Sequence, residues 1–273
     1  MTDPELGSAD PAQWNRERAY FDAVAAAVGP FNIELIAKRY EAAMPRPLFP
    51  LEVAYSLMGD LKGKRVLDVG CGNGENSLLF AKWGADVTGV DISAGAIGVC
   101  RRRAEELGLT TRTLFLETPF ELVSKTEKPF DIVWCAAFLH HVLDRLDDVM
   151  RNLATLLKPD AFILFNEPVR FSQVLKKIRA VIPPYAEGTP DERPLEAGDL
   201  ATIEKMYEIS DRRLFGPVSR AADRWGGDVQ YETATRSQRE RADSLYRLDQ
   251  KLMNISFLEF TAMIMVAKLR LRT

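Results

Sequence analysis

The sequence predicts an α/β fold: a doubly wound, mostly parallel seven-stranded sheet with an antiparallel last strand, an N-terminal helical cap and a helical insertion before the last strand. Two observations carry this. From Lys64 to Pro168, short apolar segments alternate with helix-length segments, the rhythm of a parallel sheet covered on both faces. Near the end, a charged helical stretch is followed by the apolar LEFTAMIMVAKLR (Leu258–Arg270). A final strand entered from a helix in this way often closes such a sheet antiparallel.

Taken in order, WNRERAYFDAVAAAV (Trp14–Val28) spaces Ala19, Phe21, Val24 and Val28 as one helical face, and Gly29 and Pro30 stop it. Phe31–Met44 reads as a second helix ended by the PRPLFP cluster, and Leu51–Leu61 as a third. Five strand segments then follow: KRVLDVG, ADVTGVD, TTRTLFLE, FDIVWCAA and AFILFNE. The helices between them are GENSLLFAKWG, closed by Gly84, SAGAIGVCRRRAEELG, with Ser93 as N-cap and Gly108 at its end, and LDRLDDVMRNLATLLKP. Past Pro168, Arg170–Ile182 reads as an amphipathic basic helix and Pro183–Asp199 as a mobile loop rich in Pro, Gly and acids. LATIEKMYEIS is a helix, RLFGPVS a strand, and Thr233–Met253 a charged helix. The expected organisation is a cap over 1–61, a core over 62–168, and substrate-side helices and closing strands of the same domain over 169–273.

The 273 residues suffice for one large α/β domain with a sizeable core. A net charge of -3 gives no basic field for nucleic acid. The acidic start is no secretory signal, the apolar stretch Phe260–Ala267 is too short to span a bilayer, and Cys71, Cys100 and Cys135 form neither a metal motif nor a disulfide framework. A cytoplasmic setting is the expectation, as a monomer or a homodimer.

VLDVGCGNGENS joins the first strand of the sheet to its first helix. Gly70, Gly72 and Gly74 let the backbone turn sharply and approach a ligand, where the next helix presents unpaired N–H groups. A pyrophosphate loop would space its third glycine one residue later, which argues against a nicotinamide dehydrogenase. Asp68 suits a cationic amino group instead. Asp91 ends the second strand, where a carboxylate accepts both hydroxyls of a ribose, and Ile92 can cover an adenine.

VLDVGCGNG with VTGVDIS, extended by FDIVWCAAFLHHVLD and NLATLLKPDAFILFNEP, resembles the class I (seven-strand, Rossmann-like) S-adenosylmethionine-dependent methyltransferases over roughly Lys64–Pro168. The flavour is that of the small-molecule branch with ubiquinone, menaquinone and natural-product enzymes. The resemblance implies S-adenosylmethionine as cofactor and S-adenosylhomocysteine as its product. It places the methionine moiety on Gly70, Gly72 and Gly74, its polar groups on Asp68 and the ribose on Asp91. Relatives often carry an Asp after the third strand. This chain has LETPFEL, making Glu117 the nearest acid and Phe120 the ring neighbour. Cys71 and Cys135 border the same site and read as small packing residues.

Methyl transfer asks mainly for alignment, plus a base when the acceptor arrives protonated. Both histidines of the chain, His140 and His141, follow the fourth strand at the edge where such sheets bind ligands. His140 is the candidate base, while a role in fold and donor placement is the alternative reading. Glu167, at the end of the fifth strand, can orient an acceptor or act as base. The pair shows no ligand spacing for a metal. Tyr20 and Tyr40 are substrate-side candidates on helices that cover the cofactor in the resembling enzymes, against a reading as core aromatics. CAAF after the fourth strand argues against amine methyltransferases of nucleic-acid bases. The basic helix from Arg170 reads as a sheet-covering helix in preference to a membrane-surface contact. The expectation is methyl transfer to a small, apolar or aromatic acceptor. The alternative is a methyltransferase-fold cyclase or decarboxylase.

Overall fold

A computed structural model describes residues 11–29, 31–123, 128–172, 192–220 and 231–272. Three helices come first: α1 (Pro11–Ala26), α2 (Ile33–Ala43) and α3 (Pro50–Met58). The alternating core follows as β1 (Arg65–Val69), α4 (Glu75–Lys82), β2 (Asp86–Asp91), α5 (Ala94–Glu106), β3 (Thr113–Glu117), β4 (Phe130–Ala136), α6 (Leu146–Leu156) and β5 (Leu157–Pro168). The described chain ends with α7 (Ala197–Glu204), β6 (Tyr207–Phe215), α8 (Arg236–Met253) and β7 (Ile264–Leu271).

The seven strands form one sheet in the order β3-β2-β1-β4-β5-β7-β6. Pairing is parallel from β3 through β5, and β7 runs antiparallel to both β5 and β6. This is the predicted architecture, with the last strand inserted between its two predecessors. Chain order reverses between β1 and β4, so the crevice above their carboxyl ends is the topological switch point. Two apolar cores pack on opposite faces of the sheet, one around Phe80 and Trp134, the other around Leu153 and Phe165. The central strands β1 and β4 are buried nearly throughout, which explains their continuous apolar sequences, whereas the edge strand β3 buries only Phe115.

Local signals placed most boundaries. The Ser93 hydroxyl accepts the Ala96 N–H at 3.0 Å, as an N-cap does, and Gly84 adopts φ 95° after α4. Two expectations need correction. MYEIS does not continue α7: Tyr207 and Ile209 pair with Leu271 and Leu269, so β6 starts at Tyr207 and ends at Phe215, short of the expected RLFGPVS boundary. Sheet pairing and full burial of Tyr207 outweigh the helical spacing there. The final strand starts at Ile264, because Ser256–Thr261 form a 3-10 helix that leaves Phe257 72% exposed. In α3, Ala54 and Tyr55 are buried in the core, Tyr55 stacked on Trp134. Most of the expected basic helix Arg170–Ile182 and most of the loop Pro183–Asp199 lie outside the described residues.

Candidate active site

A pocket opens at the switch point. Its floor is the turn after β1, where Gly70 and Gly72 take φ of 68° and 50°, conformations that a side chain disfavours. A Cβ at Gly70 would come within 2.9 Å of the Phe138 ring, whereas one at Gly72 would meet nothing within 4 Å. Gly70 is therefore needed for close packing, and Gly72 leaves open space for a ligand. Asp91, at the end of β2, lines the next wall. Its carboxylate accepts the Gly72 N–H at 2.8 Å and the Ser93 N–H at 2.9 Å, and burial pushes its pKa up. Each oxygen keeps a lone pair for a further donor. Ile92 and Phe120 complete an apolar slot beside it, and Ala137, Phe138 and His141 close the side after β4.

The roof is α1. Trp14, Glu17 and Phe21 line the pocket at helical spacing. This helix is fastened at several points. Asp22 accepts the Ser93 hydroxyl at 2.5 Å and the Gly95 N–H at 2.9 Å, Arg18 donates to the Ile92 carbonyl at 3.2 Å, and Gln13 donates to the His141 carbonyl at 3.2 Å. Glu17 is nearly fully buried, which raises its pKa. Arg145 is buried in an ion pair with Glu121 beside it.

Asp68 lies beneath this floor, 2% exposed, and accepts the Ser77 hydroxyl at 2.6 Å. Burial pushes its pKa up to about 7. The residues therefore fit a nucleoside-bearing amino-acid sulfonium in their donor set. Asp91 offers acceptors for a diol, Ile92 and Phe120 form an apolar slot, Gly72 leaves a cradle without a side chain, and the buried Trp14 Nε1 has no hydrogen-bond partner.

The turn after β4 is built around Glu167. Ala137 takes φ 54° as the strand ends and donates its N–H to the Asn166 carbonyl. Glu167 Oε1 then accepts the N–H groups of Phe138 and Leu139 at 2.7 and 2.8 Å, and its Oε2 lies 2.8 Å from His140 Nδ1. The carboxylate thus caps the 3-10 turn Leu139–His141 and orients one imidazole. Burial opposes protonation of His140, but the hydrogen bond and charge of Glu167 outweigh it and raise the pKa. Burial and the adjacent His140 hold His141 down at about 4. Glu192, returning from the distal half, stands 3.7 Å from His140 Nε2 and 3.3 Å from His141 Nδ1.

Of the residues read from the sequence, Gly70, Gly72, Asp91, Ile92, Phe120 and His141 line the pocket together. Asp68, Cys71, Gly74, Cys135, His140 and Glu167 stand behind that wall. Cys71 and Cys135 are buried thiols in the two cores, Cys71 at the edge of the glycine turn. Gly74 turns the chain into α4 at φ 78°. Glu117 is exposed, and Thr118 lines the pocket in its place. Tyr40 is buried edge-on to Tyr55 in the core, and Tyr20 contacts Phe21 without reaching the pocket wall. Sequence reasoning missed Trp14, Glu17, Arg145 and Glu192. A glutamate interrupting the spacing of Trp14 and Phe21 was the one usable signal. For Glu192 there was none.

Residues 66–160 match a family model described as a methyltransferase domain. Two curated relatives are both named ubiquinone biosynthesis O-methyltransferase. That of Actinobacillus pleuropneumoniae serotype 7 (strain AP76) is 38% identical over 126 residues, 44% of this chain and 53% of that protein. That of Coxiella burnetii (strain Dugway 5J108-111) is 42% identical over 106 residues, 39% of this chain and 44% of that protein. The chain thus spans about half the length of the curated relatives it matches. Among solved structures, the magnesium protoporphyrin IX methyltransferase of Synechocystis PCC 6803 with bound SAH superposes with TM-score 0.54 at 18% identity, covering 96% of this chain and all of that one. Domain match and strand order agree: residues 66–160 are similar to a methyltransferase domain, and the chain shares the fold of that solved methyltransferase.

Proposed function

We propose that this protein transfers a methyl group from S-adenosylmethionine to a hydroxyl oxygen of a small apolar or aromatic metabolite. One observation carries the reading: a single pocket joins the Gly72–Asp91 wall to the histidine turn. The names of the curated relatives support oxygen as the acceptor atom and do not favour the cyclase or decarboxylase alternative.

The donor supplies a methyl group on a sulfonium that is already a good leaving group, so what remains for the protein is alignment and acceptor activation. Asp91 would hold the ribose, with both oxygens preset by backbone N–H groups. Ile92 and Phe120 would flank the adenine. Trp14, Glu17 and Phe21 exclude water from above. An acceptor hydroxyl would enter beside His141, and its proton would pass to the imidazole–carboxylate cluster of His141, His140 and Glu192 as its oxygen lone pair forms the new bond to carbon. The C–S bonding pair would stay with the sulfur.

The test combines calorimetry with S-adenosylhomocysteine and a panel of phenols, catechols and aliphatic alcohols incubated with labelled donor and scored by mass. Label on a phenolic or catechol oxygen supports the proposal. Binding of the thioether without any transfer sinks the catalytic reading, and absence of binding sinks the cofactor reading as well.

A further inference from the structure

We infer that His140, His141 and Glu192 form a site for a divalent transition-metal cation of the zinc or iron(II) type. Each residue offers one ligand atom, and the three atoms lie within 4.8 Å of one another. His141 Nδ1 is 3.3 Å from Glu192 Oε1, and His140 Nε2 is 3.7 Å from Glu192 Oε2. A tetrahedral cation with bonds of about 2.0–2.1 Å holds neighbouring ligand atoms about 3.3–3.4 Å apart. The three ligand atoms, all within 4.8 Å of one another, would draw together to reach that spacing around a cation.

Three further features point the same way. Glu167 Oε2, 2.8 Å from His140 Nδ1, takes the N–H of that nitrogen and directs the Nε2 lone pair toward Glu192. A carboxylate behind a ligating imidazole is a recurrent metal-site arrangement, because it sets tautomer and ring orientation. His141 Nδ1 is buried without a hydrogen-bond partner, since its approach to Glu192 lacks hydrogen-bond geometry. Leaving such an atom unpaired costs about 1–3 kcal/mol, a cost that ligation removes. The two rings, 4.2 Å apart, sit on a turn fixed by the backbone bonds to Glu167, so the ligands are held before any cation arrives.

Two imidazoles and one carboxylate suit zinc or iron(II) better than calcium or magnesium, which prefer oxygen ligands. Three protein ligands leave a coordination position open. His141 also lines the donor pocket, so an acceptor oxygen is the natural fourth ligand. That last point rests on the proposed methyl transfer, whereas cation binding does not. A cation here would lower the proton affinity of the hydroxyl it touches, and both imidazoles would then serve as ligands rather than bases.

The full chain, stripped with chelator and dialysed, would be titrated with Co(II) and separately with Zn(II) against a chromophoric competitor. The expected result is one equivalent bound, with visible ligand-field bands of low-coordinate Co(II). Glu192→Gln should weaken binding at least a hundredfold. Glu167→Gln, a positioning change, should weaken it about tenfold and alter the Co(II) spectrum. Absence of a stoichiometric ion in the wild type overturns the site, as does unchanged affinity in Glu192→Gln; either leaves a simple carboxylate–imidazole contact. Should Glu167→Gln not fold, Glu192→Gln and the wild-type spectrum decide alone. Calorimetry with S-adenosylhomocysteine on the stripped protein separates the two proposals: intact binding there with no cation uptake rejects the metal and spares the donor site.

Discussion

Glu167 Oε2 lies 2.8 Å from His140 Nδ1, while the same side chain's other oxygen holds the Phe138 and Leu139 N–H groups. One fully buried carboxylate on β5 therefore builds the turn after β4 and aims its first imidazole. Glu167→Ala should lower stability by about 2–4 kcal/mol, because it strands two backbone donors in the core. Glu167→Gln, whose amide oxygen can still accept from the backbone, should be milder. Urea unfolding of the two variants checks the order.

His140 lies behind the pocket wall that His141 lines. Replacing His140 with Ala should lower turnover by about 10²–10⁴ while leaving S-adenosylhomocysteine affinity within about threefold of wild type. Single-turnover kinetics beside calorimetry resolves the split. Equal losses in both would place His140 in donor binding instead.

Asp91 is the donor-side counterpart. Asp91→Ala removes the acceptors proposed for the ribose and frees the Gly72 and Ser93 N–H groups that it holds. Donor affinity should fall about 10–100-fold, with a loss of about 1–3 kcal/mol in stability. Asp91→Asn should retain more of both. Titration calorimetry and thermal melting report the two effects separately.

The pKa of Asp68, pushed up by burial to about 7, gives a signed pH dependence. The folded protein binds this proton more tightly than the unfolded chain, whose carboxyl titrates near 3.8. Between these values the folded state carries more protons, so the Asp68 contribution to stability is full below about pH 4 and is lost as pH rises to about 7. The wild-type stability curve minus that of Asp68→Asn should fall across that window. A flat difference would show Asp68 ionised at its ordinary pKa.

Asp22 ties α1 to the start of α5 through Ser93 and Gly95. Asp22→Ala should loosen the roof without unfolding the sheet. Amide exchange across Pro11–Ala26 should quicken, while β1 and β4 stay protected. Hydrogen–deuterium exchange by mass spectrometry tests this, and added donor should restore part of the protection.

The sequence by itself determined the sheet, its alternating helices and the donor turn. Those features depend on neighbours in the chain: glycine where φ is positive, an acid at the end of β2, a cap at Ser93 and continuous apolar strands. Glu117 shows where local reading stops. The acid was legible, but it points outward at the sheet's edge strand, and Thr118 faces the pocket. The acceptor side belongs to tertiary structure. Glu167 reaches the histidine turn because β5 lies beside β4, Trp14 and Glu17 because α1 folds over the switch point, and Glu192 because the chain returns there from its distal half. Contacts so far apart in sequence leave no periodic trace in it. They arise from strand order and from how the buried carboxylates and imidazoles find partners once the sheet has formed.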